Sequence, residues 1–524
     1  MRSRLALAAT ALLALSCGAP EVAKAPAAPD YGAQQDRIWS QIPGDARMAM
    51  TVADVRHFLG KLKSLRALLA AGPVTRKYLD QGTALATTKM GFDPLDAAGW
   101  KAAGFDTSSS VALFAMANER VALVFKASSL DAARASLGKW GALSADFGCA
   151  AHGEWMVCGE EGVAAAADPA QSLAGRMKAE SGGHAGDELI VYAPLDGGRM
   201  GELFDNNEFA RASKSAFLSL TMGDALVHLG LRYSNAESGS VAKYLTLEPN
   251  VKSVLGAATG ARSAARFHFS PHALWSLARA QLDAKTLAMG TGAVQMATGL
   301  DLEKDIVDNL TGEMVAGFDV RGAGAFGAQF LGVRDDAKAG KLVDRLDGLM
   351  AGGLASVKDE LDKMGVTVVH TVESSKGRPA YVFSFQSDPS KTGALGMPAL
   401  GSFELHLATG PGAIVLAFDK AGREWAVANL GKGPDRFLAT LEPGMRASFE
   451  SGAPAVGWAG WYDIIGGMSP AQWKQVAAVY AAVHPDAPAI LREVSALSEL
   501  VWDTSTVFAV EPGAMSLDYQ FNLL

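Results

Sequence analysis

The sequence predicts an α+β protein: two tandem related domains, each an antiparallel sheet with helices packed on it. Three observations carry this. Apolar alternating segments come in hairpin pairs, helical segments come in blocks, and the whole order of elements occurs twice. A parallel doubly wound sheet would need strict strand–helix alternation, which is absent. At 524 residues the chain exceeds what one hydrophobic core usually organises. Its 49% hydrophobic and 19% charged composition is that of a globular protein.

The elements follow in order. Ala46-Arg47-Met48-Ala49-Met50-Thr51 reads as a short strand entering a helix, and Ala265-Arg266-Phe267-His268-Phe269-Ser270 repeats it much later. Gly91-Phe92-Asp93 and Gly299-Leu300-Asp301 come next in each copy, and each is expected to open a short helix. Two hairpins follow, SVALFAM with RVALVFKA and MVAGFDV with AQFLGV. Each runs into a helix, opened by Asp131-Ala132-Ala133 or by Asp336-Ala337-Lys338, so that Phe125 falls on Phe330 and Leu137 on Leu342. In the tails, Tyr192 with Gly197-Gly198 matches Tyr462 with Gly466-Gly467. The copies close on the hairpins FLSLTMG/ALVHLGLRYS and TVFAVEP/AMSLDYQFNL. Polar, turn-rich residues 235–250 mark the boundary. The second copy is longer around 345–402, with an added helix, strand pair and loop. The expected domains are 38–245 and 246–524.

Ile42-Pro43-Gly44-Asp45, the strand and helix after it, the Gly-Phe-Asp segment, the hairpin and the Asp-Ala-Ala helix together resemble an uncharacterised family of secreted bacterial proteins with a domain of unknown function. The resemblance spans most of 38–524. It implies an extracytoplasmic setting and carries over no functional residue.

The N-terminus, MRSRLALAATALLALSCGAP, has Arg2 and Arg4 before an uncharged apolar run, Leu5 to Leu15. The run is too short for a resting transmembrane helix and matches a secretory signal. Ala14-Leu15-Ser16-Cys17 resembles the lipobox of bacterial lipoproteins, departing from it at Ala14, where leucine is usual. The resemblance implies a signal peptide over 1–16, lipidation of Cys17 and a membrane anchor of fatty acyl chains such as palmitate, each contributing roughly 0.8 kcal/mol per buried methylene. Gly18, where the family often has aspartate for inner-membrane retention, points to the outer membrane rather than the inner. Residues 17–37, rich in Ala and Pro, read as a tether.

The net charge is −8, and loss of Arg2 and Arg4 with the signal makes it about −10. No Lys/Arg cluster appears, so nucleic acid is excluded as a partner. Residues 286–300 are too polar and short to span a membrane and are expected to form a buried helix. Besides Cys17 there are only Cys149 and Cys158. A two-residue turn at Gly153-Glu154, of type II′, would place them opposite each other at a non-hydrogen-bonded site, where a disulfide closes.

Catalytic signatures are missing: there is no GxSxG or HExxH. The GxGxxG at Gly322, Gly324 and Gly327 lies between two strands rather than before a helix, and reads as a hairpin turn. Ala339-Gly340-Lys341-Leu342 lacks the hydroxyl of a phosphate loop. His268 and His272 form an HxxxH, but Ser270 as cap and Pro271 at the first helical position leave His268 in the strand. His57, His152, His184, His228, His370, His406 and His484 are scattered singly. Glu160-Glu161 and Asp335-Asp336 are read as helix-start acids. Asp205-Asn206-Asn207-Glu208 lacks calcium-loop spacing and reads as a turn and cap. Trp458, Trp461 and Trp473 near Tyr462 are read as core plus one edge aromatic.

The reading is a membrane-anchored envelope lipoprotein acting as a binding or scaffolding module, leaning non-enzymatic, with no metal and no cofactor. Its partners would be the membrane through the anchor and an unknown envelope protein or apolar ligand. Alternatives are a carrier of lipid or another apolar ligand, lined by helices such as 286–300, and an envelope hydrolase.

Overall fold

The computed structural model describes residues 31–70, 72–116, 120–140, 147–160, 165–166, 168–195, 208–223, 226–247, 251–321, 324–388, 403–441, 443–460, 486, 489, 493 and 501–523. The chain is α+β, as the hairpin pattern predicts. Its strands are β1 Met48–Val52, β2 Val111–Ala115, β3 Val121–Phe125, β4 Gly148–His152, β5 Trp155–Gly159, β6 Leu189–Pro194, β7 Ser213–Met222, β8 Leu226–Asn235 and β9 Ser263–His268. They continue with β10 Leu310–Arg321, β11 Gly324–Val333, β12 Val366–Ser375, β13 Arg378–Ser387, β14 Phe403–Gly410, β15 Ala413–Ala417, β16 Ala455–Ala459, β17 Val501–Glu511 and β18 Ala514–Leu523.

The chain divides into two compact units. One comprises Met1–Gly239, Val483–Thr504 and Glu511–Leu524; the other comprises Ser240–Ala482 and Ser505–Val510. The first unit therefore takes in segments from the end of the chain as well as residues 38–239.

In the first unit the antiparallel order is β4-β5-β3-β2-β1-β6-β7-β8-β18. Side chains alternate between its faces, so each strand feeds two cores. Ala49, Phe114, Val124, Val157, Ile190, Tyr192 and Phe217 face one way and pack against Ile38, Trp39, Leu173 and Met177 of the flanking helices. Phe125, Met156 and Cys158 face the other way, against Ala133 and Leu137 of the helix Leu130–Trp140. Burial of these side chains, at roughly 25 cal/mol per Å² of apolar surface, is what fixes the register.

In the second unit the order is β12-β13-β14-β15-β11-β10-β9-β16. From β14 to β16 it matches the order β4-β5-β3-β2-β1-β6. Leu342 is buried on the helix Asp336–Ser356, as Leu137 is on the helix after β3. Phe330 does not take the place of Phe125. It lies opposite Val415 and faces the core of Val315 and Phe437, as Val124 opposite Val157 does in β3, so the expected match is off by one residue along the strand. Both phenylalanines and both leucines are buried. The strands β12 and β13 are extra, joined by a tight turn at Lys376-Gly377 with both φ positive.

Two further expectations need correction. Residues 286–300 lie mainly in the helix Ala284–Thr298, in which only Thr298 is buried. Met289 is 58% and Met296 86% exposed, so this apolar helix is a surface element. Two glycines and three threonines break its apolar stripe, leaving no continuous face to bury. Gly91 and Gly299 do not open helices. Each takes a left-handed φ, at 86° and 69°, and caps the helix before it. Asp301 is the residue that opens the next turn, by accepting from the backbone N–H groups of Glu303 and Lys304.

Candidate functional site

Local rules place several of the singled-out residues. Cys149 and Cys158 are partners across β4 and β5 and are joined by a disulfide, with Cα atoms 4.0 Å apart. The turn between them is Gly153-Glu154, with φ of 60° at Gly153, as a type II′ turn requires. His268 ends β9, whereas His272 lies on the helix Pro271–Gln281, whose cap is Ser270. The two histidines therefore share no helix face. Gly324 and Gly327 lie on β11, opposite Arg321 and Phe318 of β10, so these two glycines belong to paired strands and not to a strand–helix loop; Gly322 lies outside the described residues. Lys341 is inside the helix Asp336–Ser356, and Asp335 caps its start. Glu208 opens a short helix, Glu208–Arg211. Glu160 directly follows β5. Trp458 sits on β16, partly buried against the second unit's core. Cys17, Glu161, Asp205, Asn206, Asn207, Trp461, Tyr462, Trp473 and His484 lie outside the described residues.

The structure also joins residues that the sequence shows apart. His184, His228 and Asp518 each offer a ligand atom, and these atoms lie within 4.8 Å of one another. Register builds the cluster. Ser219 of β7, Gly230 of β8 and Asp518 of β18 are directly opposite, and Thr221, His228 and Gln520 form the neighbouring row. Opposed residues share a face, so His228 and Asp518 meet diagonally across two strands. This face is the continuation of the one that buries Tyr192 and Phe217; it turns polar as it crosses β7, β8 and β18.

His184 comes from outside the sheet, in the short turn His184–Gly186 that follows Ser181-Gly182-Gly183. Its ring lies over Gly230, where an added Cβ would fall 2.7 Å from the imidazole. Only glycine leaves room there. The ring stacks on His228 with centroids 5.4 Å apart. Its Nδ1 meets Asp187 Oδ2 at 3.0 Å and its Nε2 meets Asp518 Oδ1 at 3.3 Å. His228 Nε2 lies 3.2 Å from the same oxygen. Thr221 Oγ1 donates to Asp187 Oδ1 at 2.9 Å.

Electrostatics follow from this geometry. Hydrogen bonding to Asp187, then to Asp518, pushes the His184 pKa up to about 9 against the opposing effect of burial. Burial alone would raise both carboxylates, but the hydrogen bonds from His184 hold each of them below the usual carboxylate range, helped by Thr221 at Asp187 and by His228 at Asp518. All four side chains remain partly exposed, between 12% and 28%. The site is thus a half-buried, solvent-reachable arrangement of two imidazoles and two carboxylates. Its donors suit a divalent transition metal.

The second unit carries a hollow of about 340 Å³ with a mainly apolar surface, lined by Ala337, Val343 and Pro379 as well as by Asp336, Asp344 and Arg378. Arg378 and Asp336 pair there at 3.3 Å. No helix among the described residues is long and apolar enough to cross a membrane.

No known protein family matches this sequence, and no curated protein matches it. Among solved structures, the chain is similar to TP0453 in crystal forms III, I and IV, at 9% identity in each. The TM-scores are 0.19, 0.19 and 0.18, covering 38%, 37% and 37% of this chain and 79%, 78% and 81% of those chains. At that level the likeness carries no argument.

Proposed function

We propose that the chain is an envelope lipoprotein, held by lipid on Cys17 at the outer membrane rather than the inner, whose two α+β units act as a binding or scaffolding module. The observation that carries this is Cys17 itself, directly after a charged, short apolar leader ending in a small residue. The similar strand orders of the two units support an origin by duplication of one secreted domain.

The carrier reading loses its expected lining, because the helix Ala284–Thr298 is a surface element. Metabolic labelling with an alkyne fatty acid tests the anchor. The wild-type chain should carry label and sediment with outer membranes, and Cys17→Ala should be unlabelled and leave the membrane fraction. Label on the Cys17→Ala variant would refute the anchor. Native mass of the chain without residues 1–29, exported to a periplasm, then separates scaffold from carrier: a bare mass supports the former, a lipid-sized excess the latter.

A further inference from the structure

We propose that His184, His228 and Asp518 form a binding site for a divalent first-row transition metal, zinc in the first instance, with Asp187 orienting His184 from behind. The site lies within the first unit and does not depend on how the chain is anchored. Three features argue for it.

The first is spacing. A tetrahedral zinc site with bonds of about 2.0–2.1 Å has ligand–ligand edges of roughly 3.3 Å. The edges from Asp518 Oδ1 to His184 Nε2 and to His228 Nε2 are 3.3 and 3.2 Å. The remaining edge, between the two ring nitrogens, is within 4.8 Å. Metal binding would draw the two rings together until this edge too is roughly 3.3 Å.

The second is the shell behind the ligands. Metal-bound histidines usually donate their other ring N–H to a carboxylate, which fixes the tautomer and the ring plane. His184 does this through Nδ1 to Asp187, which is itself held by the Thr221 hydroxyl. Gln35 Nε2 donates to the Asp187 backbone carbonyl, fixing the base of the same turn. Gly230 supplies the space the ring occupies.

The third is ligand type and access. Two imidazole nitrogens and one carboxylate oxygen match zinc, iron(II) or copper(II), whereas calcium and magnesium take oxygen sets. Three protein ligands on a partly exposed face leave a fourth position open, as in sites where bound water or a second molecule completes the shell. Arg232, in the next row of β8, is paired with Glu511 at 3.1 Å.

The test is zinc competition against a chromophoric chelator, using the full chain in detergent with a histidine-free purification handle. Wild type should take up one equivalent with submicromolar affinity. His228→Gln and Asp518→Asn should each weaken it at least tenfold. Asp187→Asn should cost about 10–100-fold, the usual range for an outer-shell partner. His272→Gln should change nothing. Cobalt(II) should give visible ligand-field bands in wild type, and Asp518→Asn should abolish them. Wild type that outcompetes no chelator, or one-equivalent binding retained in both His228→Gln and Asp518→Asn, would overturn the proposal. Circular dichroism checks that each variant is folded, and the wild-type measurement decides the matter without any variant.

Discussion

Cys149→Ala should expose what the hairpin disulfide contributes. The bond closes a loop with a sequence separation of 9. Chain-entropy theory gives an unfolded-state loss near −2.1 − 1.5R ln n, about 2.6 kcal/mol at 25 °C for a loop of that length. The single variant is preferable to the double one. Cys158 is fully buried against Phe125, Leu137 and Met156, and its thiol can stay there as a small apolar group. Cys149 is only partly buried on β4, and β4 has β5 as its resolved partner, so the cost of truncation there is small. A global transition would mix two units, so hydrogen exchange across β4 and β5 is the suitable assay. The opening free energy there should fall by 2–3 kcal/mol in Cys149→Ala, and by the same amount in reduced wild type. A fall below about 0.5 kcal/mol, or two titratable thiols from Cys149 and Cys158 in unreduced denatured chain, refutes the reasoning.

Further outcomes are expected. Burial, then the Arg266 charge, depress the His268 pKa to about 4, opposite Glu313 on β10. The unfolded chain binds the proton from about pH 6.5 downward and the native chain does not, so this histidine lowers stability as pH falls from 6.5 towards 4, by about 3 kcal/mol at most. Burial raises the Glu313 pKa, and that works in the opposite sense. The comparison of wild type with His268→Leu therefore isolates the histidine: the stability difference should grow in the variant's favour on acidification, and a pH-independent difference in urea melts contradicts it. Lys61 pairs with the fully buried Glu188 at 3.2 Å, so Lys61→Met should cost about 3 kcal/mol, and adding Glu188→Gln should restore much of it. An additive double variant would show that the pair is not coupled. Gly312 has φ of 80° at the bulge of β10, and a Cβ there would lie 2.0 Å from the Phe269 carbonyl oxygen. Gly312→Ala should lower stability by about 2 kcal/mol or more, and a neutral thermal melt would show that the backbone yields.

What the sequence determined by itself is local or repeated. Alternation of apolar residues marks β2, β3, β10 and β11, because a strand exposes every second side chain to the same core. Gly153 and its two flanking cysteines specify a hairpin and its bond, because turn type and register are coupled within ten residues or so. Ser270-Pro271 specifies a helix start and so separates His268 from His272. The signal before Cys17 is likewise a contiguous chemical pattern. Only the tertiary structure decided the rest. The helix Ala284–Thr298 looks buried by composition, but burial depends on whether another element covers it, which no local window encodes. The His184–His228–Asp518 cluster is the clearest case. Its single legible trace is a histidine and an aspartate in the middle of strand-like runs, where apolar or neutral residues are usual. What brings them together is the pairing of β18 with β8, between residues 290 apart in the chain, and a turn held over Gly230. Long-range strand pairing is chosen by the summed burial of whole sheet faces, so the residues that share a polar patch are a product of the fold and not of their own spacing.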